Sequence, residues 1–327
     1  MEKLKIQFVQ LGHNCWEDCI PPESALQAKP NLRGRSYSPN LADYFDRKVW
    51  RNILERMKKN GLNAVLIDLA DGIRYKSRPE IGLHDALTIP EFRDELQFCR
   101  DLGLEPFPKL NFSSCHDAWL KEYERMLSTP AYYACCKDLI EEVCEIFGGP
   151  RFFHLGMDEE DYPNQAYYNF VAIRQNSLWW HDLNFLVQTA LDAGSRPWIW
   201  SDKIWDTPLE EFQANMPRSA VQSNWYYGKS FSLNPGENRS ARCVQAFLDL
   251  DRLGYDQIPC GSNHSNLENY PGLVRFCEER LGHVLGYMTA PWGGSNRQRE
   301  AHLLAGADNA GEGNRFIRTS ESLFNRT

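Results

Sequence analysis

The sequence predicts an α/β fold, a single (β/α)8 TIM barrel that spans residues 1–327 as one domain. Eight short apolar segments recur along the chain, and most of them alternate with segments of helical periodicity. Such alternation indicates a parallel sheet, and eight units indicate a closed barrel. The rival architecture, a doubly wound open sheet, usually carries a glycine-rich phosphate loop after its first strand. Residues 11–16, LGHNCW, are not such a loop.

The apolar segments have the length of barrel strands. We predict strands over residues 5–12, 62–71, 104–112, 151–158, 196–202, 220–228, 255–263 and 283–294. Gly61 and Gly103 end two of the intervening helices, since glycine readily adopts the left-handed conformation that stops a helix. The long polar connection over residues 11–48 would lie above the catalytic face of a barrel.

Charge and hydropathy exclude several classes of partner. The formal net charge is -8 and no run of Lys and Arg occurs, so we expect no nucleic-acid partner. No apolar segment approaches the roughly 20 residues of a membrane helix, so we expect no membrane span. The N-terminal residues enter a strand at once, which predicts no signal peptide. The compartment stays open, and a periplasmic or secreted location fits a chain that starts at a mature domain. The oligomeric state is not readable.

The cysteines do not indicate a metal site or a disulfide framework. There are 10 of them at irregular spacing, and none forms a zinc pattern with a histidine. We therefore expect small buried residues and free thiols. No metal and no cofactor are predicted.

Polar and aromatic side chains collect where the predicted strands end, which is the active-site face of a barrel. Acids suit proton transfer, amides bind hydroxyl groups, and aromatic rings, 13% of the chain, stack on the apolar face of a sugar. This mixture predicts a carbohydrate as substrate. The residues at the strand ends are His13, Asn14, Asp71, Lys109, Asn111, His116, Asp158, Glu159, Trp200, Asp202, Asn224, Trp225, Tyr226, Tyr227, Asn263, His264 and Trp292.

Residues 154–159, HLGMDE, resemble the His-x-Gly-x-Asp-Glu motif of the family 20 glycoside hydrolases, the β-N-acetylhexosaminidases. In that family the motif closes the fourth barrel strand, which is where it falls here. Residues 61–72, GLNAVLIDLADG, are similar to the family's second strand, and residues 88–116 are similar to its next helix and third strand. The resemblance covers residues 60–160 well and the remainder only in architecture.

The resemblance implies a retaining mechanism without a protein nucleophile. Glu159 would be the general acid, and Asp158 would orient the 2-acetamido group, whose oxygen attacks the anomeric carbon. His116 would contact Glu159, and either Tyr226 or Tyr227 would supply the family's acetamide-binding tyrosine.

Two strand ends depart from the family pattern. Its Pro-Glu-Ile-Asp reads Pro108-Lys109-Leu110-Asn111 here, so both acids are replaced. The substrate-binding arginine of the family's first strand is absent, and His13 and Asn14 stand there instead.

Plainer interpretations remain open for most of these residues. The acids of residues 158–161 are consistent with a solvated turn, and Glu160 and Asp161 fit that description best. His154 is either a core histidine or part of the site, and the tryptophans either pack or stack on sugar. Asp202 fits a helix cap, Asp71 a turn, and both also fit substrate binding. For the whole chain, the alternatives are a glycosidase of different specificity or mechanism, or a barrel that has lost catalysis and only binds glycans.

Overall fold

Eight parallel strands form one sheet in this computed structural model, which describes residues 2–13, 19, 21–28, 38–166, 169–234 and 238–318. The strands are β1 Leu4–Gln10, β2 Ala64–Asp68, β3 Glu105–Lys109, β4 Phe152–His154, β5 Arg196–Trp200, β6 Val221–Ser223, β7 Cys260–Gly261 and β8 Gly286–Thr289. Seven of them lie within the segments predicted for them, and β1 begins at Leu4, one residue before its predicted segment. The order in the sheet is β6-β5-β4-β3-β2-β1-β8-β7, so neighbours along the chain are neighbours in space.

The sheet closes between β6 and β7. Two isolated parallel bridges each join a residue of one of these strands to a residue just outside the other: Gln222 of β6 pairs with Gln257, and Cys260 of β7 pairs with Trp225. The predicted (β/α)8 barrel is therefore confirmed. Because all strands are parallel, their C-terminal ends meet at one mouth.

Helices follow the strands and cover the outside of the barrel. They are α1 Glu23–Ala28, α2 Arg47–Lys59, α3 Ile89–Asp101, α4 Pro130–Phe147, α5 Asn176–Asp192, α6 Leu209–Asn215, α7 Asn238–Arg252, α8 Asn269–Arg280 and α9 Glu300–Asn314. Thr88 and Glu91 form a reciprocal capping box at the start of α3. Gly61 and Gly103 follow α2 and α3 with φ of 72° and 74°, as the stop signals predicted. None of the described helices is both long and apolar enough to cross a membrane.

Buried side chains form two layers, one inside the barrel and one between strands and helices. All five residues of β2 are buried, because a strand covered on both faces needs no polar alternation. Ala64 and Leu66 lie with Phe8 and Trp198 inside the barrel, whereas alternate residues such as Ile67 pack against the helices. The inner layer supports the mouth from below.

Candidate active site

The turn that follows β4 has an uncommon backbone. Gly156, Met157 and Glu159 have φ of 74°, 73° and 57°, which is the left-handed region. For a residue with a side chain this conformation costs about 1–2 kcal/mol, and such strain concentrates at functional sites. The left-handed residues also explain why β4 ends at His154, earlier than predicted.

Side-chain acceptors hold each of these three left-handed residues by its backbone N–H. Two of the acceptors come from neighbouring strand ends, so the turn is fixed to the barrel on both sides. The hydrogen bonds run from Gly156 N to His154 Nδ1 at 3.0 Å, from Met157 N to Asn111 Oδ1 at 3.3 Å and from Glu159 N to Asp202 Oδ2 at 2.9 Å. Strain in the turn is thereby offset by specific contacts.

Gly156 is the one position in this turn where only hydrogen fits. A Cβ there would lie 1.9 Å from Oδ1 of Asn111 and 2.8 Å from its Cα. Asn111 also donates from Nδ2 to Oδ1 of Asp158 at 2.9 Å. The glycine of the HLGMDE segment therefore lets the amide of Asn111 reach Asp158 from the next strand.

His116 joins the two adjacent acids. Its Nε2 lies 3.3 Å from Oδ2 of Asp158 and 3.3 Å from Oε2 of Glu159. His116 is fully buried, the side chain of Asp158 is 8% exposed, and that of Glu159 is 26% exposed. Glu159 is thus the member of this triad that reaches the open mouth.

The charges around the triad set its protonation. Burial alone would lower the pKa of His116, but Asp158 and Glu159 outweigh it and raise the pKa to about 9. Burial alone would raise the pKa of Asp158, but His116, Lys109 and Asn111 outweigh it and lower the pKa to about 2. At neutral pH an ionised Asp158 therefore faces a cationic His116.

Asp202 titrates in the opposite sense from Asp158. Burial and then the negative charges of Asp158 and Glu159 raise the pKa of Asp202 to about 8. The environment therefore separates the pKa values of the two aspartates. At neutral pH Asp158 stays ionised while Asp202 is mainly protonated.

Lys109 lies inside the barrel, below the mouth. Its Nζ donates to Oδ2 of Asp68 at 2.6 Å, and both side chains are at most 1% exposed. Lys109 also contributes to the low pKa of His154, after the larger effect of burial. His154 lies between the rings of Trp198 and Trp200, at 4.8 and 4.7 Å, as a buried core histidine.

Aromatic rings line one side of the mouth. Trp200 is 1% exposed and lies 6.0 Å from Trp292, whose Nε1 donates to the hydroxyl of Tyr227 at 3.1 Å. Tyr227 in turn stacks on Trp225 with ring centroids 5.3 Å apart. The structure therefore brings these four predicted residues into one connected group. Trp225, Tyr227 and Trp292 are half-buried.

Tyr226 is separated from this aromatic group. Its hydroxyl donates to the carbonyl of Ser230 at 2.7 Å, and its ring packs on Phe231 in the layer between strands and helices. Of the two predicted tyrosines, only Tyr227 packs with the inner layer. Adjacent residues of an extended segment point to opposite faces, so Tyr226 and Tyr227 could not both face the mouth.

Asp71 is buried and paired. Lys121 Nζ donates to its Oδ2 at 3.0 Å, and burial raises the pKa of Asp71. His13 stacks on Tyr44 with ring centroids 4.0 Å apart. Asn14, also predicted at this end of the barrel, lies outside the described residues.

The remaining predicted amides have structural partners. Asn224 donates to the carbonyl of Cys243 and accepts from Nε1 of Trp205, and Asn263 donates to the carbonyl of His302. His264 lies with its ring 6.0 Å from that of His302. These contacts fasten loops and helices to the barrel.

Glu160 has a role that sequence reasoning missed. Its side chain is 4% exposed, pairs with the buried Arg174 and accepts from the backbone N–H of Ser114 at 2.9 Å. The expectation of a solvated turn residue is therefore wrong for Glu160, because its partner lies 14 residues away in an aperiodic loop. Asp161 does cap a turn, accepting from Asn164 N at 2.9 Å.

His116, Asp158 and Glu159 also have the composition of a cation site. One ligand atom from each lies within 4.8 Å of the others. With no metal bound, the two acids raise the pKa of His116 to about 9, so a cationic imidazole pairs with both carboxylates at neutral pH. We therefore assign the group as an ion triad, and the absence of a metal requirement stays a prediction.

Several solved hexosaminidase structures share this fold. The β-N-acetylhexosaminidase of Bacteroides fragilis matches with a TM-score of 0.59 at 14% identity, over 98% of this chain and 68% of its own. The family 20 exo-β-N-acetylglucosaminidase of Vibrio harveyi, in complex with N-acetylglucosamine, gives 0.58 at 14% identity. The family 20 β-N-acetylhexosaminidase of Streptomyces coelicolor gives 0.59 at 11% identity, over 94% of this chain and 64% of its own. No protein-family model and no curated protein matches the chain.

This chain is shorter than the enzymes it matches. The similarity covers 93% of it but only 54% of the Vibrio harveyi chain. At such low identity, the matches show the fold.

Proposed function

We propose that residues 1–327 form one catalytic domain, a glycosidase that cleaves β-linked N-acetylated hexosamine with retention of configuration. The observation that carries the proposal is the contact of His116 Nε2 with both Asp158 and Glu159, at 3.3 Å each. The contact lies on a left-handed turn at the mouth of a barrel whose structural neighbours are hexosaminidases.

In the first step Glu159 enters as the neutral acid, gives its proton to the glycosidic oxygen and becomes the carboxylate that pairs with His116. The acetamido oxygen of the substrate attacks the anomeric carbon as the bond to the leaving group breaks, and an oxazolinium ion forms. Asp158, ionised because His116, Lys109 and Asn111 lower its pKa to about 2, accepts from the acetamido N–H and stabilises the developing positive charge. This exception to the two-carboxylate rule needs no protein nucleophile.

In the second step Glu159 acts as a base. It takes a proton from water, the water oxygen bonds to the anomeric carbon from the face that the leaving group vacated, and the acetamido group is restored. Glu159 suits this exchange, since it is the acid of the triad that reaches the mouth.

Trp225, Tyr227 and Trp292, the half-buried members of the four-ring group, supply the apolar wall of the sugar pocket, and the buried Trp200 packs against Trp292 without reaching the sugar. Indole and phenol rings hold the apolar face of a pyranose, and a dry wall strengthens the electrostatics of the acid pair. The hydroxyl of Tyr227 accepts from Nε1 of Trp292 and also hydrogen-bonds the thiol of Cys260, and the two contacts fix the orientation of the ring in the wall.

Lys109 and Asn111 are compatible with catalysis although the family has acids there. Asn111 donates to Asp158 at 2.9 Å, and the positive charge of Lys109 favours the ionised form of the same carboxylate. Both replacements therefore support the acetamido-orienting role that we propose for Asp158.

A panel of aryl β-glycosides with and without the 2-acetamido group tests this function. We expect turnover of the N-acetylated members, with kcat lowered about 10²–10⁴-fold in Glu159→Gln. Turnover only of sugars without the acetamido group would refute substrate assistance. Sugar binding without any turnover would indicate the glycan-binding alternative.

A further inference from the structure

Asp202 contacts the backbone of Glu159. It lies in the short 3-10 turn Asp202–Trp205 that follows β5, and its Oδ2 accepts from Glu159 N at 2.9 Å. The N-cap residue of that turn is Ser201, which makes no side-chain cap bond. Asp202 is therefore not the helix cap that the sequence suggested, because its carboxyl reaches across to the adjacent strand end.

The peptide groups on both sides of Glu159 are fixed by hydrogen bonds. Asp202 holds the N–H, while the carbonyl of Glu159 accepts from Asp161 N at 2.8 Å and from Asn164 Nδ2 at 3.1 Å. Glu159 has φ of 57°, so without these contacts its backbone would relax toward the right-handed or extended regions. Such a change would swing the direction in which the side chain leaves the backbone.

We propose that Asp202 is a positioning residue, whose carboxyl oxygen holds the left-handed backbone of Glu159 and so aims the acid at the mouth of the barrel. The inference rests on the proposed function for the role of Glu159, and on the structure alone for the contact. It differs from the substrate-binding role that the strand-end position predicted for Asp202.

The charge state of Asp202 fits this role. A third carboxylate beside Asp158 and Glu159 would repel both, whereas a neutral carboxyl accepts the N–H without that repulsion. The pKa of about 8 keeps the group mainly neutral at pH 7. Oδ1 of Asp202 is buried and has no hydrogen-bond partner in the part of the chain that the structure describes. A neutral group loses less from such burial than an ionised one.

Two substitutions separate positioning from substrate contact. Asp202→Asn keeps a neutral side chain of the same shape and an oxygen that can accept from Glu159 N, whereas Asp202→Ala removes the acceptor. On the aryl glycoside that the wild type cleaves, we expect Asp202→Ala to lower kcat about 10–100-fold with KM within about twofold, since small misplacements of a catalytic group cost that much. Asp202→Asn should restore most of kcat.

Other kinetic outcomes would overturn the inference. A raised KM with kcat preserved in Asp202→Ala would make Asp202 a substrate-binding residue. Equal loss of kcat in Asp202→Asn and Asp202→Ala would show that the acid group itself is needed.

Hydrogen exchange tests the contact without using activity. We expect the Glu159 amide to be protected in the wild type and in Asp202→Asn, and to exchange at least tenfold faster in Asp202→Ala. The Met157 amide, held by Asn111, is the internal control and should keep its protection. Unchanged protection of Glu159 in Asp202→Ala would refute the inference. If the wild type cleaves no glycoside, the proposed function fails while the exchange experiment still decides the contact.

Discussion

Two pairs of acids stand side by side at residues 158–161 and have opposite roles. Asp158 and Glu159 meet His116 at the mouth, with Glu159 26% exposed. Glu160 points the other way, to the fully buried Arg174, and Asp161 caps a turn. The difference shows that the partners each side chain meets in space, rather than the composition of the local sequence, decide its role. They determine whether an acid belongs to the active site or holds a loop in place.

The two ionic groups also differ in how fully their acceptors are satisfied. Around Arg174, Asp182 accepts from the hydroxyls of Ser128 and Tyr133 and from the guanidinium itself, and Glu160 accepts from Arg174 and Ser114. At the mouth, the exposed part of Glu159 stays open to the solvent. A satisfied buried cluster holds loops, whereas a partly open one can exchange a proton.

The largest expected effect is on the loop cluster. In Arg174→Met, the carboxylates of Glu160 and Asp182 lose their buried cation, and we expect the free energy of unfolding to fall by about 3–5 kcal/mol. Urea denaturation measures this change. Arg252→Met is the matched control: Arg252 is 67% exposed and pairs with Asp249 within one helix, so its loss should cost less than about 1 kcal/mol. If Arg174→Met and Arg252→Met lost the same free energy of unfolding, the buried cluster around Arg174 would be no more stabilising than a surface ion pair.

The second effect is on the pH dependence of stability at the mouth. The pKa of His116 is about 9 in the folded protein against 6.5 as the ordinary value, so the folded state binds more protons between these pH values. The contribution of His116 to the free energy of unfolding is therefore fully present below pH 6.5 and is lost as the pH rises through about 9. We expect up to about 3 kcal/mol of stability to disappear over this window.

His116→Gln supplies the comparison for that pH profile. The wild type should lose more stability than the variant between pH 6.5 and 9, as measured by urea denaturation at each pH. Asp202 also titrates near pH 8, but it is present in both proteins. Parallel profiles for wild type and variant would mean that His116 is not held as a cation by the acid pair.

The sequence predicted the barrel because the relevant signals are local. The apolar run of β2 and the glycines Gly61 and Gly103 that end two helices can be recognised from the local sequence alone. Their recognition does not depend on which distant residues they contact. Asp158 and Glu159 were found because their motif is contiguous, and the structure brings them together with His116.

The contacts that escaped sequence reasoning connect residues far apart in the chain. The pair of Lys109 with Asp68 and the bond from Glu159 N to Asp202 each join two strand ends, at separations of 41 and 43 residues. Strand edges predicted to within a few residues cannot tell which side chains face inward. For Tyr226 and Tyr227, the two-residue period of a strand was a signal that one of them had to face away.

The smallest expected difference, about 2 kcal/mol between two matched glycine variants, concerns the turn that separates the two acid pairs from the barrel. Gly156 and Gly194 both have left-handed backbones, with φ of 74° and 82°, but only Gly156 is crowded. In Gly194→Ala the new Cβ meets nothing within 4 Å, so we expect only the backbone penalty of about 1–2 kcal/mol and unchanged kcat.

In Gly156→Ala the Cβ would lie 1.9 Å from Oδ1 of Asn111, so that amide must move away from Asp158. We expect about 2 kcal/mol of destabilisation beyond the backbone penalty, as for other overpacked sites, and a kcat at least tenfold lower. Urea denaturation and the aryl glycoside assay measure the two quantities. If both glycine variants lost the same stability and the same kcat, Asn111 would not need the space that glycine leaves. The turn would then owe its form to the acceptors His154 and Asp202 rather than to the missing side chain.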